Sequence, residues 1–569
     1  MSTFTDQMYA NAASSARGLV TGPWEAPVRR SWSEIHEQAR RMAGALAGAG
    51  IGPGSVVAVL GGNPADVAPL AQAVWMRGTA LTMLQQPTPR TDLAVWLADS
   101  IRAANTIGAV LTVVGAPFGA AEEPLAAAGQ RVVTIDALRS GPDIDPLHVD
   151  DSAVAMYQLT SGSTGTPKAV QLTHANLYAN SVALFTATDG DATTDVMVSW
   201  LPLSHDMGML AFLTHPMQWG VELIAATPEE FLRRPALWPD LITRYRGAIT
   251  SGPNFAYAVL ALTLERAEPG RYDLSSLRVA INGAEPIDAR DVHRLAEAGA
   301  RFGLRPGAIT SAYGMAEATL AVTFDRSQQV GVDRISRRDL HERGLATPDD
   351  AADARSVVSV GVPVAGMEVR VVDDHGRPHP PRQVGSIEVR GAAVSRGYLT
   401  ENGWLDGDFR NGWLSTGDLG YLDADGKLYV CGRAKDVIVI AGNNVYPTDI
   451  ERAACAVPGV RAGNAVAVRI EAGAGGPATS STGDSRESFA VLAESKQADD
   501  PAEAERIRAE IALRVSQAVG YNARAVLVLP PGSVPKTGSG KLQRGKAAEV
   551  FARIEGKAAD YTSRKEARA

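Results

Sequence analysis

The sequence predicts an α/β protein with helix-covered parallel sheets, a small β-rich subdomain and an α/β tail. Helical and strand-like patterns alternate through the first third of the 569-residue chain, which is typical of parallel sheets with helices on their faces. Short strands separated by Asp/Gly turns follow at about 357–434, and helices alternate with strands again after residue 435. Because a chain of this length exceeds what one hydrophobic core supports, we expect two or more domains.

The individual elements follow from apolar periodicity and from turn residues. Ser33 is the predicted N-cap of a helix whose apolar face repeats at Ile35, Ala39, Met42 and Leu46. The next strand-like runs cover 55–60, 80–84, 107–114 and 131–135, with a helix through 69–77. In the tail we predict helices from about 448 and over 502–519, and strands over 464–470 and 525–529. The Gly/Ser/Thr-rich stretch 472–486 is predicted to be an exposed loop.

Composition and charge limit the possible function classes. The chain is 45% hydrophobic and 21% charged with a net charge of −8, which argues against a nucleic-acid binder. The two cysteines, Cys431 and Cys455, have no metal-like spacing and exclude a disulfide scaffold. The N-terminus lacks signal-peptide features, and the apolar stretches are too short to cross a membrane. We therefore expect a cytoplasmic enzyme without an integral membrane segment.

The most informative segment is a loop rich in hydroxyls and glycines that follows an apolar run at 153–157. It reads Thr160-Ser161-Gly162-Ser163-Thr164-Gly165-Thr166-Pro167-Lys168. Glycines let backbone N–H groups approach an anion, hydroxyls add donors, and Lys168 adds a positive charge, which together suit nucleotide phosphates. It is not a Walker A loop, because no Gly-Lys-Ser/Thr sequence ends it. The loop resembles the phosphate-binding motif of adenylate-forming enzymes, which include acyl-CoA synthetases, fatty acyl-AMP ligases and luciferases.

A second segment contains Trp200-Leu201-Pro202-Leu203 followed, after Ser204, by His205-Asp206-Met207-Gly208. This wording is most similar to that of fatty acyl-AMP ligases. The resemblance implies that His205 guides the substrate carboxylate and closes over the adenylate. In isolation, the same residues also fit a structural His–Asp pair.

Two further segments follow predicted strands and resemble motifs on the adenine side of the family's site. In Asn282-Gly283-Ala284-Glu285-Pro286, Gly283 would let the main chain lie flat against the ligand, and the resemblance implies that Ala284 and Glu285 lie beside the base. In Tyr313-Gly314-Met315-Ala316-Glu317, Tyr313 offers an aromatic face for adenine. Glu317 is the expected Mg²⁺ ligand, since hard cations take oxygen ligands beside phosphates.

Three positions in the last third complete the pattern. Asp418, in Ser415-Thr416-Gly417-Asp418-Leu419, resembles the residue that accepts hydrogen bonds from the ribose hydroxyls. Arg433 would contact ribose or phosphate, and Lys435 would mark a hinge. Lys541 matches the family's catalytic lysine. A lysine beside a glycine on a mobile loop can bind the carboxylate and α-phosphate as charge develops. Seen alone, such a basic loop is usually only solvated.

The resemblance extends from about residue 31 to 544 with the motifs in family order. It implies a large N-terminal adenylation domain, 1–434, of two helix-covered sheets with the β-rich subdomain at about 357–434, followed by a small mobile α/β domain, 435–569. It further implies that ATP activates a fatty-acid-like carboxylic acid as acyl-AMP, with release of pyrophosphate. Lys541, His205, Lys168 and Glu317 would be catalytic. Mg²⁺ is expected, and the acceptor would be CoA or the phosphopantetheine thiol of an acyl carrier protein.

Acceptor choice depends on the polar segment 329–355. Fatty acyl-AMP ligases carry an insertion here that is thought to hinder the rotation needed for CoA; the alternative is a surface loop without such a role. Ser204, Ala169 and Asn443 depart from that group's pattern of Tyr, Gly and Arg, which bears on acyl-pocket shape, adenylation efficiency and CoA access. The alternatives are an acyl-CoA ligase, possibly of the thioesterification half-reaction only, and a catalytically silent protein that binds a nucleotide or acyl-adenylate.

Overall fold

The computed structural model describes residues 2–87, 91–160, 168–327, 329–470, 487–536 and 540–566. The helices in these ranges are α1 Thr3–Ser14, α2 Trp32–Gly48, α3 Pro64–Met76, α4 Leu93–Thr106, α5 Glu122–Ala127, α6 Ile135–Leu138, α7 His174–Ala187, α8 His215–Trp219, α9 Pro228–Arg233, α10 Leu237–Tyr245, α11 Asn254–Glu265, α12 Ala289–Ala300, α13 Arg337–Arg343, α14 Pro447–Cys455, α15 Pro501–Val519 and α16 Arg544–Glu566. A π-helical segment, Met207–Thr214, leads into α8. Within the described ranges, no helix has both the length and the apolar character needed to cross a membrane.

Two large sheets form the first part of the molecule. In the described residues, one runs in the order β17 (Val362–Pro363), β14 (Ala321–Phe324), β13 (Ile309–Gly314), β12 (Val279–Asn282), β11 (Ile249–Gly252), β9 (Val196–Ser199), β10 (Glu222–Ala225), β1 (Gly18–Thr21) and β2 (Val28–Ser31). The other runs in the order β21 (Gly403–Asp406), β20 (Gly397–Thr400), β8 (Lys168–Thr173), β7 (Val154–Thr160), β4 (Ala80–Met83), β3 (Val56–Leu60), β5 (Leu111–Val114) and β6 (Val132–Thr134). The inner strands pair in parallel and the antiparallel pairs lie towards the edges, so the predicted α/β architecture of two helix-covered sheets is confirmed.

The predicted N-cap of α2 is wrong by two residues. Ser31, not Ser33, caps the helix: its hydroxyl accepts from Glu34 N at 3.2 Å, and Glu34 Oε2 accepts from Ser31 N at 2.7 Å. This reciprocal capping box satisfies two main-chain donors at once and decides between the two neighbouring serines. The predicted apolar face of Ile35, Ala39, Met42 and Leu46 is buried, as expected.

The β-rich region at about 357–434 contributes to more than one sheet. Its own antiparallel sheet contains β18 (Met367–Val372), β19 (Gly385–Gly391), β22 (Phe409–Arg410), β23 (Trp413–Leu422) and β24 (Leu428–Arg433). By contrast, β17 extends the first large sheet, and β20 and β21 extend the second. The β-rich region is therefore joined by strand pairing to both large sheets.

The residues after 435 build a smaller α/β unit with its own core. The hairpin β25 (Ile438–Ile440) and β26 (Asn443–Val445) precedes a sheet of β27 (Val460–Ile470), β28 (Ser488–Ser495) and β29 (Ala525–Leu529). Its core includes Ile450, Phe489, Ile507 and Val515, separate from the large core of the two sheets. The domain boundary and the hinge at Lys435 stay predictions. The loop predicted at 472–486 lies outside the described residues.

The polar segment 329–355 is packed, so its interpretation as a loose surface loop is wrong. It forms β15 (Val332–Ile335), α13 and the start of β16 (Arg355–Val358), with β15 and β16 paired antiparallel. Ile335, Leu340 and Ala346 are buried in one cluster with Tyr421 and Tyr446. These apolar residues are spread among many charges, which is why the composition of the segment alone left the surface-loop alternative open.

Candidate active site

Asp418 is the centre of one group of predicted nucleotide-site residues. It faces Arg433 across the β23–β24 ladder, and Arg433 Nε lies 2.8 Å from Asp418 Oδ1. The Tyr313 hydroxyl donates to Asp418 Oδ2 at 2.6 Å. Burial raises the pKa of Asp418, while Arg433 and Tyr313 favour its charged form. A nearly buried carboxylate held from two sides is suited to accept hydrogen bonds from a diol.

The segment that carries Tyr313 turns sharply after β13. Met315 N donates back to Leu320 O at 2.9 Å, and a Cβ on Gly314 would lie 1.9 Å from that same oxygen. A side chain at 314 is therefore excluded by the close approach of the two backbones. The turn presents Ala316 and Glu317 in one turn of 3₁₀ helix. Glu317 Oε1 accepts a hydrogen bond from the Tyr398 hydroxyl at 3.0 Å.

The segment after β12 contacts the C-terminal unit. Ala284 has a positive φ of 69°, a strained conformation for a residue with a side chain, while Gly283 is buried close to Ala312 O. Glu285 Oε1 accepts from Phe255 N at 2.6 Å. Burial raises the pKa of Glu285, and the bond from Phe255 N together with Lys536 and Lys541 opposes that rise. Glu285 thus forms a hydrogen bond with the start of α11 and also responds to the charges of two lysines of the C-terminal unit.

His205 and Asp206 form a close pair at the start of the π-helical segment. His205 Nδ1 lies 2.6 Å from Asp206 Oδ1, and Met207 N donates to the same oxygen at 2.7 Å. Burial would raise the pKa of Asp206, but His205, the bond from Met207 N and the charge of Lys541 hold it at about 2. The carboxylate therefore stays charged and keeps the imidazole oriented.

Lys168 begins β8, directly opposite Thr160 at the end of β7, and the Thr160 hydroxyl donates to Lys168 O at 3.2 Å. The Lys168 ammonium lies 5.4 Å from the centre of the Tyr398 ring. The remaining residues of the predicted phosphate loop lie outside the described residues: Ser161, Gly162, Ser163, Thr164, Gly165, Thr166 and Pro167.

Lys541 connects these groups. Its charge acts on Asp206, Glu285 and Asp418, and in each case it favours the ionised carboxylate. A Cβ on the preceding Gly540 would lie 3.2 Å from the Phe255 ring, so Gly540 lies close to the start of α11. The structure thus brings the predicted lysine of the C-terminal unit to the carboxylates of the N-terminal one.

Comparisons with known proteins identify the family of this chain. The family model described as AMP-binding enzyme matches residues 10–399. The chain belongs to the AMP-binding enzyme family. It is 50% identical over 552 residues, 97% of this chain and 100% of the relative, to the putative ligase Rv1013 of Mycobacterium tuberculosis. It is 32% identical over 71% of its length to JamA of Moorena producens, a medium-chain-fatty-acid–[acyl-carrier-protein] ligase, and covers 68% of that protein.

A solved structure confirms the fold of this AMP-binding enzyme. It comes from a study of fatty acyl-adenylate ligases from E. coli and L. pneumophila and is 27% identical, with a TM-score of 0.87 over 97% of this chain and 98% of the other. The predicted resemblance to adenylate-forming enzymes is therefore confirmed. The chain is an acid-activating ligase of that superfamily.

The site of this AMP-binding enzyme fits a metal that arrives with its nucleotide. Among the described residues, no group of three or more His, Cys, Asp or Glu side chains could hold a metal ion. Mg²⁺ bound to nucleotide phosphates needs only one or two protein carboxylates, because phosphates and water supply the other ligands. Glu317 Oε2 is the oxygen of that carboxylate which does not receive the Tyr398 hydroxyl. The donor set fits such a metal.

Three departures from the fatty acyl-AMP ligase pattern have simple local environments. The side-chain amides of Gln85 and Gln158 donate to the Ser204 carbonyl, so this position is held through its main chain. Ala169 is buried in β8, between Leu159 and Leu399 of the neighbouring strands. Asn443 donates to the Tyr521 hydroxyl at 2.6 Å, within the C-terminal unit.

Sequence reasoning missed two contributors to this region. Tyr398 contacts two predicted catalytic residues, although it lies in a strand of the β-rich region about 80 residues from Glu317. Arg452 of α14 donates to Ile287 O at 2.8 Å, just after the segment that carries Glu285. Neither residue has a local sequence signal, because each acquires its contacts only when distant segments pack together.

Proposed function

We propose that this enzyme activates a fatty-acid-like carboxylic acid with ATP to give acyl-AMP and pyrophosphate, and passes the acyl group to the phosphopantetheine thiol of a carrier protein. The observation that carries the proposal is that the charge of Lys541, on the C-terminal unit, acts on Asp206, Glu285 and Asp418 and favours the ionised form of each carboxylate. A mobile cation beside a ribose-type carboxylate and a His–Asp pair suits the joining of a carboxylate to the α-phosphate of a nucleotide.

In the first half-reaction, an oxygen of the substrate carboxylate attacks the α-phosphorus of ATP. The bond from that phosphorus to the bridging oxygen breaks, and pyrophosphate leaves. Lys541 stabilises the negative charge on the five-coordinate phosphorus, and His205, oriented by Asp206, binds the incoming carboxylate. Glu317 would hold the Mg²⁺ that neutralises the phosphate charge, and Lys168 would bind the departing pyrophosphate.

In the second half-reaction, a thiolate sulfur attacks the acyl carbon, the bond between that carbon and the phosphate oxygen breaks, and AMP leaves. The choice of a carrier protein over CoA is supported by how segment 329–355 binds the C-terminal unit. Arg355 Nε lies 3.0 Å from Asp449 Oδ1 of α14, and both side chains are buried. Arg337, at the start of α13, donates to Ala518 O at the end of α15 at 3.1 Å.

A second contact, of opposite polarity, also holds α14. Arg452, a half-buried residue of the C-terminal unit, donates to Ile287 O and lies 3.9 Å from Asp288 Oδ2 of the N-terminal part. Rotation of the C-terminal unit would have to break both this contact and the Arg355–Asp449 pair. Two ion pairs of opposite polarity on one short helix favour the orientation in which Lys541 acts on the carboxylates. They therefore oppose the rotation needed for CoA and favour retention of acyl-AMP. The fatty-acid carrier-protein ligase JamA supports the same choice of acceptor.

Product analysis tests the proposal. Purified protein is incubated with ATP, Mg²⁺ and short-, medium- and long-chain acids, alone, with CoA, or with a phosphopantetheinylated carrier protein, and the products are identified by mass spectrometry. We expect acyl-AMP that persists with CoA and is consumed by the carrier protein. Rapid acyl-CoA formation would overturn the choice of acceptor, whereas absence of acyl-AMP with every acid, together with no binding of ATP, would overturn the proposed reaction.

The contribution of segment 329–355 is tested with matched arginine variants. Arg355→Met breaks the buried pair with Asp449, while Arg338→Met removes an exposed charge from the same segment. If the pair restrains rotation, Arg355→Met will form more acyl-CoA relative to acyl-AMP, and Arg338→Met will match wild type. Equal ratios in all three proteins would show that the pair does not determine the acceptor.

A further inference from the structure

We infer that Tyr398 is a positioning residue that orients the metal-side carboxylate Glu317 and the phosphate-side ammonium of Lys168 toward the same nucleotide phosphates. The inference rests on the proposed function and names a residue that this function had not used. Tyr398 lies in β20, which pairs in the second large sheet with β8, the strand that begins with Lys168. One aromatic side chain therefore reaches two charged groups that belong to different sequence motifs.

The first contact is with Glu317. The Tyr398 hydroxyl donates to Glu317 Oε1 at 3.0 Å. The main chain of Glu317 is held by the same region, because Ser395 N donates to Glu317 O at 2.7 Å and the Thr319 hydroxyl donates to Ala393 O at 2.7 Å. Both ends of this glutamate are thus fixed to the segment just before and within β20, so rotation of its carboxylate is restricted.

The Tyr398 hydroxyl is the donor in this contact, because an ionised carboxylate has no hydrogen to donate. A neutral phenol can only donate to the carboxylate at this contact, which leaves Oε2 of Glu317 available to a metal. A partner that hydrogen-bonds a metal-ligating carboxylate in this way fixes its direction.

The second contact is with Lys168. Its ammonium lies over the Tyr398 ring at 5.4 Å from the ring centre, within the range of a cation–π interaction. An aromatic face restrains a lysine without neutralising it, so the full positive charge remains available to an anion. The ring and the hydroxyl of Tyr398 therefore have separable roles: the hydroxyl acts on the metal ligand and the ring acts on the lysine.

The experiment separates the two roles with Tyr398→Phe and Tyr398→Leu. The first removes only the hydroxyl, while the second also removes the ring. Binding of ATP is measured by titration calorimetry as a function of Mg²⁺ concentration, and again in EDTA, without any acid substrate. For Tyr398→Phe we expect the Mg²⁺ concentration at half-effect to rise roughly 10-fold with unchanged binding in EDTA. For Tyr398→Leu we expect weaker binding in EDTA as well.

Tyr429→Phe is the matched control, because it also removes a tyrosine hydroxyl from a carboxylate, Asp423, in a turn of the β-rich sheet. It should bind as wild type does. Thermal unfolding without ligand identifies any general loss of stability. An unchanged Mg²⁺ dependence in Tyr398→Phe overturns the inference while the proposed function stands. Absence of ATP binding by the wild-type protein would instead overturn the proposed function and this inference together.

Discussion

Two regions of this molecule use buried ionic contacts in different ways. Around Asp418, a partly exposed Arg433, a tyrosine hydroxyl and the nearby Lys541 surround a carboxylate that faces the site. Around α14, the Arg355–Asp449 pair is almost fully buried, and Arg355 also donates to Cys431 O and lies over the Tyr446 ring. The first group can exchange its partners for a ligand, whereas the second has only protein to contact.

This difference separates residues suited to chemistry from residues suited to orientation. A buried pair contributes little net stability, because the cost of removing two charges from water offsets their attraction. Breaking such a pair is nevertheless expensive, since one charge then remains buried without compensation. The α14 contacts are therefore well suited to select one orientation of the C-terminal unit. The Asp418 group is suited to bind a ligand in the site that this orientation completes.

The largest effect is expected from breaking the buried pair. Arg355→Met leaves Asp449 buried without its partner and should lower the free energy of unfolding by about 3–5 kcal/mol. The double variant Arg355→Met/Asp449→Leu should recover much of that loss, because it leaves no unpaired charge. Denaturant unfolding of Arg355→Met, of Asp449→Leu and of the double variant measures the coupling energy between the two side chains. Additive losses would show that the two side chains do not interact energetically.

Removal of Lys541, the proposed catalytic lysine, should act on rate alone. Lys541→Ala should slow acyl-AMP formation by about 10²–10³-fold, because the charge that develops on the α-phosphate loses its stabilising cation. ATP binding and thermal stability should change little. Exchange of labelled pyrophosphate into ATP measures the rate, with the exposed Lys546→Ala on the following helix as control. Adenylation at the wild-type rate by Lys541→Ala would exclude the assigned role.

A smaller effect is expected at the predicted ribose contact. Asp418→Asn keeps the shape of the side chain but replaces one acceptor by a donor, which then opposes Arg433 or the Tyr313 hydroxyl. Loss of a charged hydrogen-bond acceptor, roughly 1.5–3 kcal/mol, should weaken ATP binding by about 10- to 100-fold. Asp425→Asn, at an exposed turn of the same sheet, is the control. Equal ATP affinities in the two variants would argue against a ribose role.

The smallest effect is a pH dependence of the α14 contacts. Burial lowers the pKa of His341, Asp449 opposes this shift, and Arg355 and Arg337 reinforce it. Since the folded pKa is below the unfolded value of about 6.5, stability is fully present above pH 6.5 and falls as the pH drops below it. His341→Asn should flatten the decline in melting temperature below pH 6.5. Exposed His375→Asn should leave the slope unchanged, and an unchanged slope in His341→Asn would exclude this histidine as its source.

Most of the candidate site could be predicted from the sequence because its chemistry occurs in short segments. Tyr313, Glu317, Asp418 and Lys541 each lie in a run whose glycines and polar residues are adjacent in the chain, and the order of the runs indicates the family. The α/β class followed from apolar periodicity for the same local reason. By contrast, the choice of Ser31 over Ser33 as a cap depended on which serine faced Glu34, which propensity alone does not resolve.

The sequence by itself determined the superfamily, the α/β class and the identity of the charged groups, since each follows from neighbouring residues. The tertiary structure alone decided that segment 329–355 packs against α14, that Arg355 meets Asp449, and that Tyr398 contacts both Glu317 and Lys168. These contacts join residues 80 or more positions apart in the chain, apart from the internal packing of the segment itself. Such pairs leave no periodic or local signal, because they are selected by the burial of whole surfaces and not by the conformation of any one segment.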